Sequence, residues 1–406
     1  MSPTYEMGAA DAVLPQRADI VIVGGGVMGL STAYQLMRQS KGRLKVVVIE
    51  RSYLVSGASG RNGGGVRMQW ADRQNVELMM RSIDICRGLA QELGINTWFR
   101  QGGYLFLART PAAEAQLERN AELHHHVGAP TRLLSPEAAR DRVPQLDVTD
   151  VRVATYNPDD AVVFPWAFVW GYAAQAVKRG AVVRTHTSVE RIEPDPGGRD
   201  GFTLHLSTGE SIEADTVINA TGAWSVGLNV SLGVHLPNHP HRHEIMSSEP
   251  LKPFLDPLVV DLDCGLYFSQ STRGEIVAGV SMPSEGEDAD PTEINLGSSM
   301  LFLGRLSRAL CRAMPIARSL KVLRQWSGPY DVSPDGDAIL GRTPAFPNLI
   351  QICGFTGHGF MMAPVIGEIV ARNLVHGKDH PVLTHWSPGR FDDPNYTGRG
   401  ETMIIG

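Results

Sequence analysis

Six residues near the start of the chain carry the first chemistry. Gly24-Gly25-Gly26-Val27-Met28-Gly29 has the spacing G-x-G-x-x-G. Gly24 permits a tight turn, Gly26 lets backbone approach a pyrophosphate, and Gly29 lets the following helix pack on the preceding strand. The N–H groups of that helix N-terminus then meet negative charge. Glu50, followed by Arg51, ends the next apolar run, where its carboxylate can accept hydrogen bonds from ribose hydroxyls. The spacing alone is weak. The strand before it, the helix after it and Glu50 beyond make it specific for a bound dinucleotide.

Three further segments point to FAD rather than NAD. Ser56 to Gly65 has five glycines in ten positions, among them Ser59-Gly60-Arg61-Asn62-Gly63-Gly64. Such glycines allow positive φ or close approach of backbone to a bound group, here the pyrophosphate and the isoalloxazine. Ala220-Thr221-Gly222-Ala223-Trp224 is another piece. Gly354-Phe355-Thr356-Gly357-His358-Gly359-Phe360-Met361 lies between an apolar run and a helical pattern. A helix N-terminus there, aimed at the flavin, would stabilise negative charge on the reduced ring.

These segments need elements to hold them. Ala18 to Val23 reads as a buried parallel strand, Val27 onward as a helix closed at Lys41-Gly42, and Leu44 to Ile49 as a second strand. That is one βαβ unit. Helices are expected over 72–93, 111–128, from Pro136, over 167–178, 298–314 and 363–375. Strands are expected over 103–107, 181–189 (with Val189 at the cofactor), 202–206, 211–214, 216–220, within 240–280 broken near Gly274, and over 349–353. The fold class is α/β: a Rossmann-type FAD domain (18–95, 155–228, 325–385) interleaved with a mixed-sheet substrate domain (96–154, 229–324). Residues 1–17 read as a mobile arm, and 386–406 as a polar tail over the surface or onto a partner.

On the four glycine segments, with Gly265-Leu266-Tyr267-Phe268 and Pro334-Asp335, the chain resembles a known superfamily. It is the FAD-dependent amino-acid oxidoreductases of the glycine oxidase, D-amino-acid oxidase and sarcosine oxidase type. Within it the chain is most similar to the β subunit of heteromeric sarcosine oxidases and to dye-linked proline and opine dehydrogenases. The resemblance implies hydride transfer from the carbon beside an amine to flavin N5, leaving an imine for water to hydrolyse. The substrate would be a secondary amino acid: sarcosine, proline, hydroxyproline or an opine. Deamination of glycine or a D-amino acid is the alternative, as is a flavin-bearing subunit that leaves catalysis to another chain. By resemblance Arg67 matches a carboxylate-binding arginine, and Tyr267 a pocket tyrosine that either bonds substrate or is a satisfied core aromatic. His358 brings backbone to the cofactor, with its side chain a weaker candidate for carrying protons.

Departures from the family pattern refine this. Gly328 stands where monomeric sarcosine oxidases attach FAD through cysteine, so FAD is expected to be non-covalent. Pro165, just before Phe168-Val169-Trp170-Gly171-Tyr172-Ala173, stands where heteromeric relatives attach FMN through histidine. Covalent FMN is therefore not expected, while FMN at a subunit interface stays open. Val277 replaces a lysine that promotes reaction with oxygen, and Met361 a pocket lysine. A dehydrogenase passing electrons to a dye, quinone or partner subunit is favoured over an oxidase using O2.

Other signals are bland. His124-His125-His126 point in three directions on a helix and read as exposed polar residues. His239, His241 and His243 share a face if they lie on a strand, read as solvated or at an interface rather than as a metal site. Glu285, Glu287, Asp288 and Asp290 read as a solvated loop. At 406 residues, 43% hydrophobic and 20% charged, the chain is globular with two or three domains. A net charge of −6 argues against nucleic acid. Four scattered cysteines, no apolar stretch of spanning length and no secretory leader lead us to expect a cytoplasmic protein.

Overall fold

The computed structural model describes residues 7–195, 200–282, 295–398 and 400–404. The acidic run from Glu285 to Asp290 lies outside them. The apolar run at the start forms the strand Arg17–Val23, central to an eight-stranded sheet. Six of its strands run in the order Ile339–Thr343, Phe346–Cys353, Ser211–Asn219, Arg17–Val23, Val46–Ile49 and Val182–Arg184, while Phe202–Leu206 pairs with Ser211–Asn219 and with Val189–Pro194. The last five of the six are parallel, as their near-continuous apolar sequences require when both faces are covered. Val23 stands level with Ile49 and Asn219. The segments that follow these strands, Gly24, Glu50 and Ala220, therefore gather at one edge. Ligands bind outside the carboxyl ends of such sheets.

Helices Val27–Gln39 and Gly359–His376 pack closely over one face. Ser31 Oγ donates to the Ala363 carbonyl at 2.9 Å. The second sheet also has eight strands and is almost wholly antiparallel. Its order runs Val322–Val332, His239–Pro250, Glu275–Gly279, Leu266–Gln270, Leu258–Asp261, Tyr104–Ala108, Val153–Asn157 and Arg132–Leu134. Its own core holds Phe268, Phe302 and Leu306, all fully buried. The mixed α/β class is as expected.

Several expectations need correction. The strand over 181–189 is two strands, Val182–Arg184 and Val189–Pro194, separated where His186 takes φ +53°. The two apolar segments at 211–220 are one strand, Ser211–Asn219. The last long helix begins at Gly359, directly after the glycine loop. Strand Val322–Val332 pairs along its length with His239–Pro250. The chain thus returns to the first sheet after residue 332, not at 325. Likewise Val153–Asn157 belongs to the second sheet, past the boundary expected at 154. Residues 7–16 are not a free arm: Ala9 bridges Arg184, and Val183 sits against Gly8. The tail is held too. Trp386 is 1% exposed, and Arg390 forms a buried two-bond pair with Asp335 at 2.9 and 3.0 Å.

Two glycine substitutions test the packing. A Cβ on Gly367 would stand 2.8 Å from Ser31 Oγ and 2.9 Å from Ser31 backbone. Gly367→Ala should cost about 1–3 kcal/mol by forcing the helices apart. Gly88, exposed within helix Arg73–Leu93, has nothing within 4 Å of such a Cβ. Gly88→Ala should stabilise by about 0.5–1 kcal/mol. Denaturant melts of both variants read the opposite signs.

Candidate functional site

The first glycine turn opens on a cleft of about 430 Å³. Gly24 takes φ +114°, and a Cβ there would lie 2.4 Å from the Ala220 carbonyl oxygen. Gly26, Val27 and Met28 line the cleft. Gly29 does not; it lets the helix pack on the turn, since a Cβ on it would meet the Gly24 oxygen at 2.0 Å. Helix Val27–Gln39 has no side-chain cap from Gly26. Ser59 Oγ takes the Val27 N–H at 3.0 Å. The Met28 N–H, also beside the cleft, is claimed by no side chain among the described residues.

Glu50 ties the second strand to this turn. Its carboxylate accepts the N–H of Gly25 at 2.7 Å and of Ser52 at 2.9 Å. Acceptor capacity remains for hydroxyls. Arg51 lies over the Trp224 ring at 3.8 Å, and both border the cleft. Asn62, Val189, Ala220, Thr221 and Gly222 complete this part of the lining. At the other side Gly357, Gly359 and Phe360 line it where helix Gly359–His376 begins, again without a side-chain cap. Gly60 and Gly354 are not on the wall. Gly60 accepts the Trp166 indole N–H at 3.0 Å, and Gly354 turns the chain at φ +71° while donating to buried Asp331. Burial pushes the Asp331 carboxyl up to about 6.

Two helix N-termini, an acidic residue at the second strand end and glycine-rich walls facing one elongated cleft fit FAD. Its pyrophosphate would meet the first helix, its ribose Glu50, and its ring the Gly357–Phe360 turn. The cleft wall includes no cysteine.

Beyond Gly357 and Phe360, which border both spaces, lies an inner pocket of about 100 Å³. Arg61, Gly63, Gly64, Arg67, Tyr267, His358 and Met361 line this pocket. So do His243 and Gly328, and with them Tyr104 and Tyr330, which no motif marks. Tyr104 reaches it because Gly65 has no side chain: a Cβ would sit 1.7 Å from the Tyr104 hydroxyl. His243 is not on a solvated face. It is buried, stacked on Tyr330 at 4.8 Å, with Nε2 2.9 Å from the Tyr267 hydroxyl. Burial, helped by His241, pushes its pKa down to about 3. Burial and then Arg67 hold His358 well below the usual imidazole range. Both rings are neutral near pH 7. Among the described residues no group of three His, Cys, Asp or Glu is placed to hold a metal.

Arg67 follows the short strand Gly65–Val66 and is 3% exposed. One Nη donates to the Gln69 carbonyl and the other to the Met403 carbonyl. Trp70 lies under the guanidinium at 3.8 Å, and its indole N–H donates to the Arg67 carbonyl at 3.0 Å. Among the described residues no carboxylate lies within ion-pair distance of it. Burial lowers its pKa, opposed through space by Tyr104, Glu401 and Asp160. His124 is the exception in its histidine run: it is buried, and its Nε2–H donates to the Trp70 carbonyl at 2.8 Å.

Burial lowers the His124 pKa to about 4. Below about pH 6.5 the unfolded chain takes a proton here that the fold refuses until about pH 4. This residue's contribution to stability therefore falls as pH drops across that window. His124→Gln should show a flatter melting profile from pH 6.5 to 4 than the parent, measured by thermal melts in matched buffers.

Comparison with known proteins agrees with this geometry. The family model for FAD dependent oxidoreductases of the DAO type matches residues 19–373. The chain is 33% identical over 404 residues to FAD-dependent oxidoreductase domain-containing protein 1 of Xenopus laevis, covering 89% of this chain and 80% of that one. It is 28% identical over 396 residues to the sarcosine oxidase subunit beta of Rhodobacter capsulatus, covering 97% and 93%. Its fold matches L-proline dehydrogenase from P. horikoshii with a TM-score of 0.86 at 31% identity, covering 93% and 99%. The chain belongs to the DAO family of FAD-dependent oxidoreductases.

Proposed function

We propose that this oxidoreductase acts on the C–N bond of a small secondary amino acid, held by its carboxylate on Arg67. One observation carries the reading: a buried guanidinium beside a small pocket, with no carboxylate in contact among the described residues. A buried cation is costly unless paired. Two of five donors go to backbone oxygens, and a planar guanidinium suits a two-pronged carboxylate. Sarcosine and proline, in the names of two relatives, are secondary amino acids. A pocket of about 100 Å³ favours sarcosine, proline or hydroxyproline over an opine.

Bound FAD supplies the hydride acceptor, its N5. The chain's residues do the rest. Arg67 fixes the carboxylate, so the carbon beside nitrogen is presented toward Gly357 and Phe360 at the cleft. Among the described residues no acidic side chain lines the pocket, and His243, His358, Tyr104, Tyr267 and Tyr330 carry no charge near pH 7. An ammonium there is disfavoured, so the amine binds with a free lone pair. Hydride leaves the carbon while that lone pair forms the C=N bond. Water then adds to the imine carbon and releases amine and carbonyl.

Electron disposal is read from Val277. A Cβ on Gly63 would lie 3.8 Å from Val277 Cγ1, so this apolar side chain borders the second glycine loop. Without a cation there, superoxide formation is unsupported, and a dye, quinone or partner subunit is the proposed acceptor. FAD is held without a covalent bond, since Gly328 offers no thiol. FMN has no attachment at Pro165, the first residue of helix Pro165–Lys178.

Anaerobic mixing of the FAD-loaded chain with sarcosine, L-proline, hydroxyproline, octopine, glycine and D-alanine tests this. We expect bleaching of the oxidised-flavin band by a small secondary amine. Bleaching by glycine or D-alanine alone would replace the reading with a primary-amine enzyme. No bleaching by any would defeat it. Val277→Lys should speed return of colour in air by about tenfold or more. An unchanged rate would remove Val277 as the cause of slow oxygen reaction.

A further inference from the structure

The last described residues turn back into the molecule. Met403 is 2% exposed and Glu401 4%. The Met403 carbonyl accepts from Arg67 Nη2. Glu401 fixes where that carbonyl sits. Its Oε1 accepts the N–H of Met403 at 2.7 Å, of Thr402 at 2.9 Å and of Ala71 at 3.1 Å. Its Oε2 accepts from Asp72 N–H at 3.1 Å and Asn75 Nδ2 at 3.0 Å. Five donors from two segments converge on one carboxylate. One segment is the tail itself. The other is the loop just after Arg67, where it enters helix Arg73–Leu93. Charge-assisted bonds of this kind are the strong ones. Glu401 makes no ion pair with Arg67, so it does not compete for the face a ligand would take.

We propose that Glu401 is a positioning residue for substrate binding. It clamps residues 401–403 to the Arg67 loop, and the Met403 carbonyl then holds the guanidinium in one orientation toward the inner pocket. This rests on the reading of Arg67 as a carboxylate site. The physical reason is the shape of the group. A planar fork of donors binds a carboxylate well in only one plane, and small misplacements are expensive.

The test uses the full-length, FAD-loaded chain and a redox-inert probe, 2-furoate, with furan-2-carboxamide as its neutral counterpart. Binding is read from the visible spectrum of the bound flavin. Glu401→Ala should weaken 2-furoate by about tenfold, equivalent to about 1.4 kcal/mol, and change the carboxamide far less. Glu401→Gln keeps one acceptor oxygen and should recover part of the loss. Asn75→Ala removes one of the five donors and should shift 2-furoate affinity in the same direction by less. It also serves if Glu401→Ala does not retain FAD. In an Arg67→Ala background, Glu401→Gln should add nothing further. Equal weakening of both probes, or additive effects with Arg67→Ala, would make Glu401 merely structural and overturn the proposal. Tighter 2-furoate binding would mean that the Met403 carbonyl competes with the ligand, which also overturns it. If Arg67→Ala itself leaves 2-furoate binding unchanged, the reading of Arg67 falls first, and this inference with it.

Discussion

Arg67 is a cation that the fold buries with no contacting carboxylate among the described residues. Such a group would destabilise the protein unless its surroundings replaced water. They do so with neutral partners: two backbone oxygens, the face of Trp70 and, at a greater distance, Phe106. Each partner is held in turn. His124 holds the Trp70 carbonyl, and Asp160 accepts Met68 N–H at 2.7 Å and Gln69 Nε2 at 3.0 Å. Burial raises the Asp160 carboxyl to about 7. This acid steadies the loop through those two donors and, among the described residues, makes no ion pair with Arg67. The site is left with positive charge to offer a ligand.

The cofactor side solves a different problem. Negative phosphates and a reducible ring would be met by backbone dipoles, with two helices opening on the same cleft and few side-chain charges facing it. Backbone donors keep their places because strands and helices fix them. The second sheet then supplies what the cofactor lacks, a shaped wall. Its strands Val322–Val332, His239–Pro250 and Leu266–Gln270 each contribute one aromatic side chain to the inner pocket: Tyr330, His243 and Tyr267. Sites at the meeting of two layers are common for this reason.

The cofactor half was legible because its determinants are local. Gly24 to Gly29 and Glu50 announce themselves by spacing, since a turn and a strand end can be read within thirty residues. The substrate half was legible only where resemblance carried Arg67 and Tyr267. Tyr104, His243 and Tyr330 come from strands far apart in sequence, and their meeting depends on sheet order and register. No local pattern marks them. The alternation of His239, His241 and His243 did signal a shared strand face, but not that the face turns inward. The tail was misread for a similar reason. Its polar composition suggested solvent, while Arg390 and Glu401 spend their charges on buried partners. The histidine run likewise hid one buried member, His124.

The central claim is that Arg67 selects the substrate by its carboxylate. The most direct measurement is anaerobic stopped-flow reduction of the flavin in the parent and in Arg67→Ala, using whichever amino acid bleaches the parent. In Arg67→Ala, FAD should stay bound while apparent substrate affinity weakens by about 2–5 kcal/mol, the cost of breaking a buried charge pair. Unchanged affinity in Arg67→Ala would contradict it and remove Arg67 from the site.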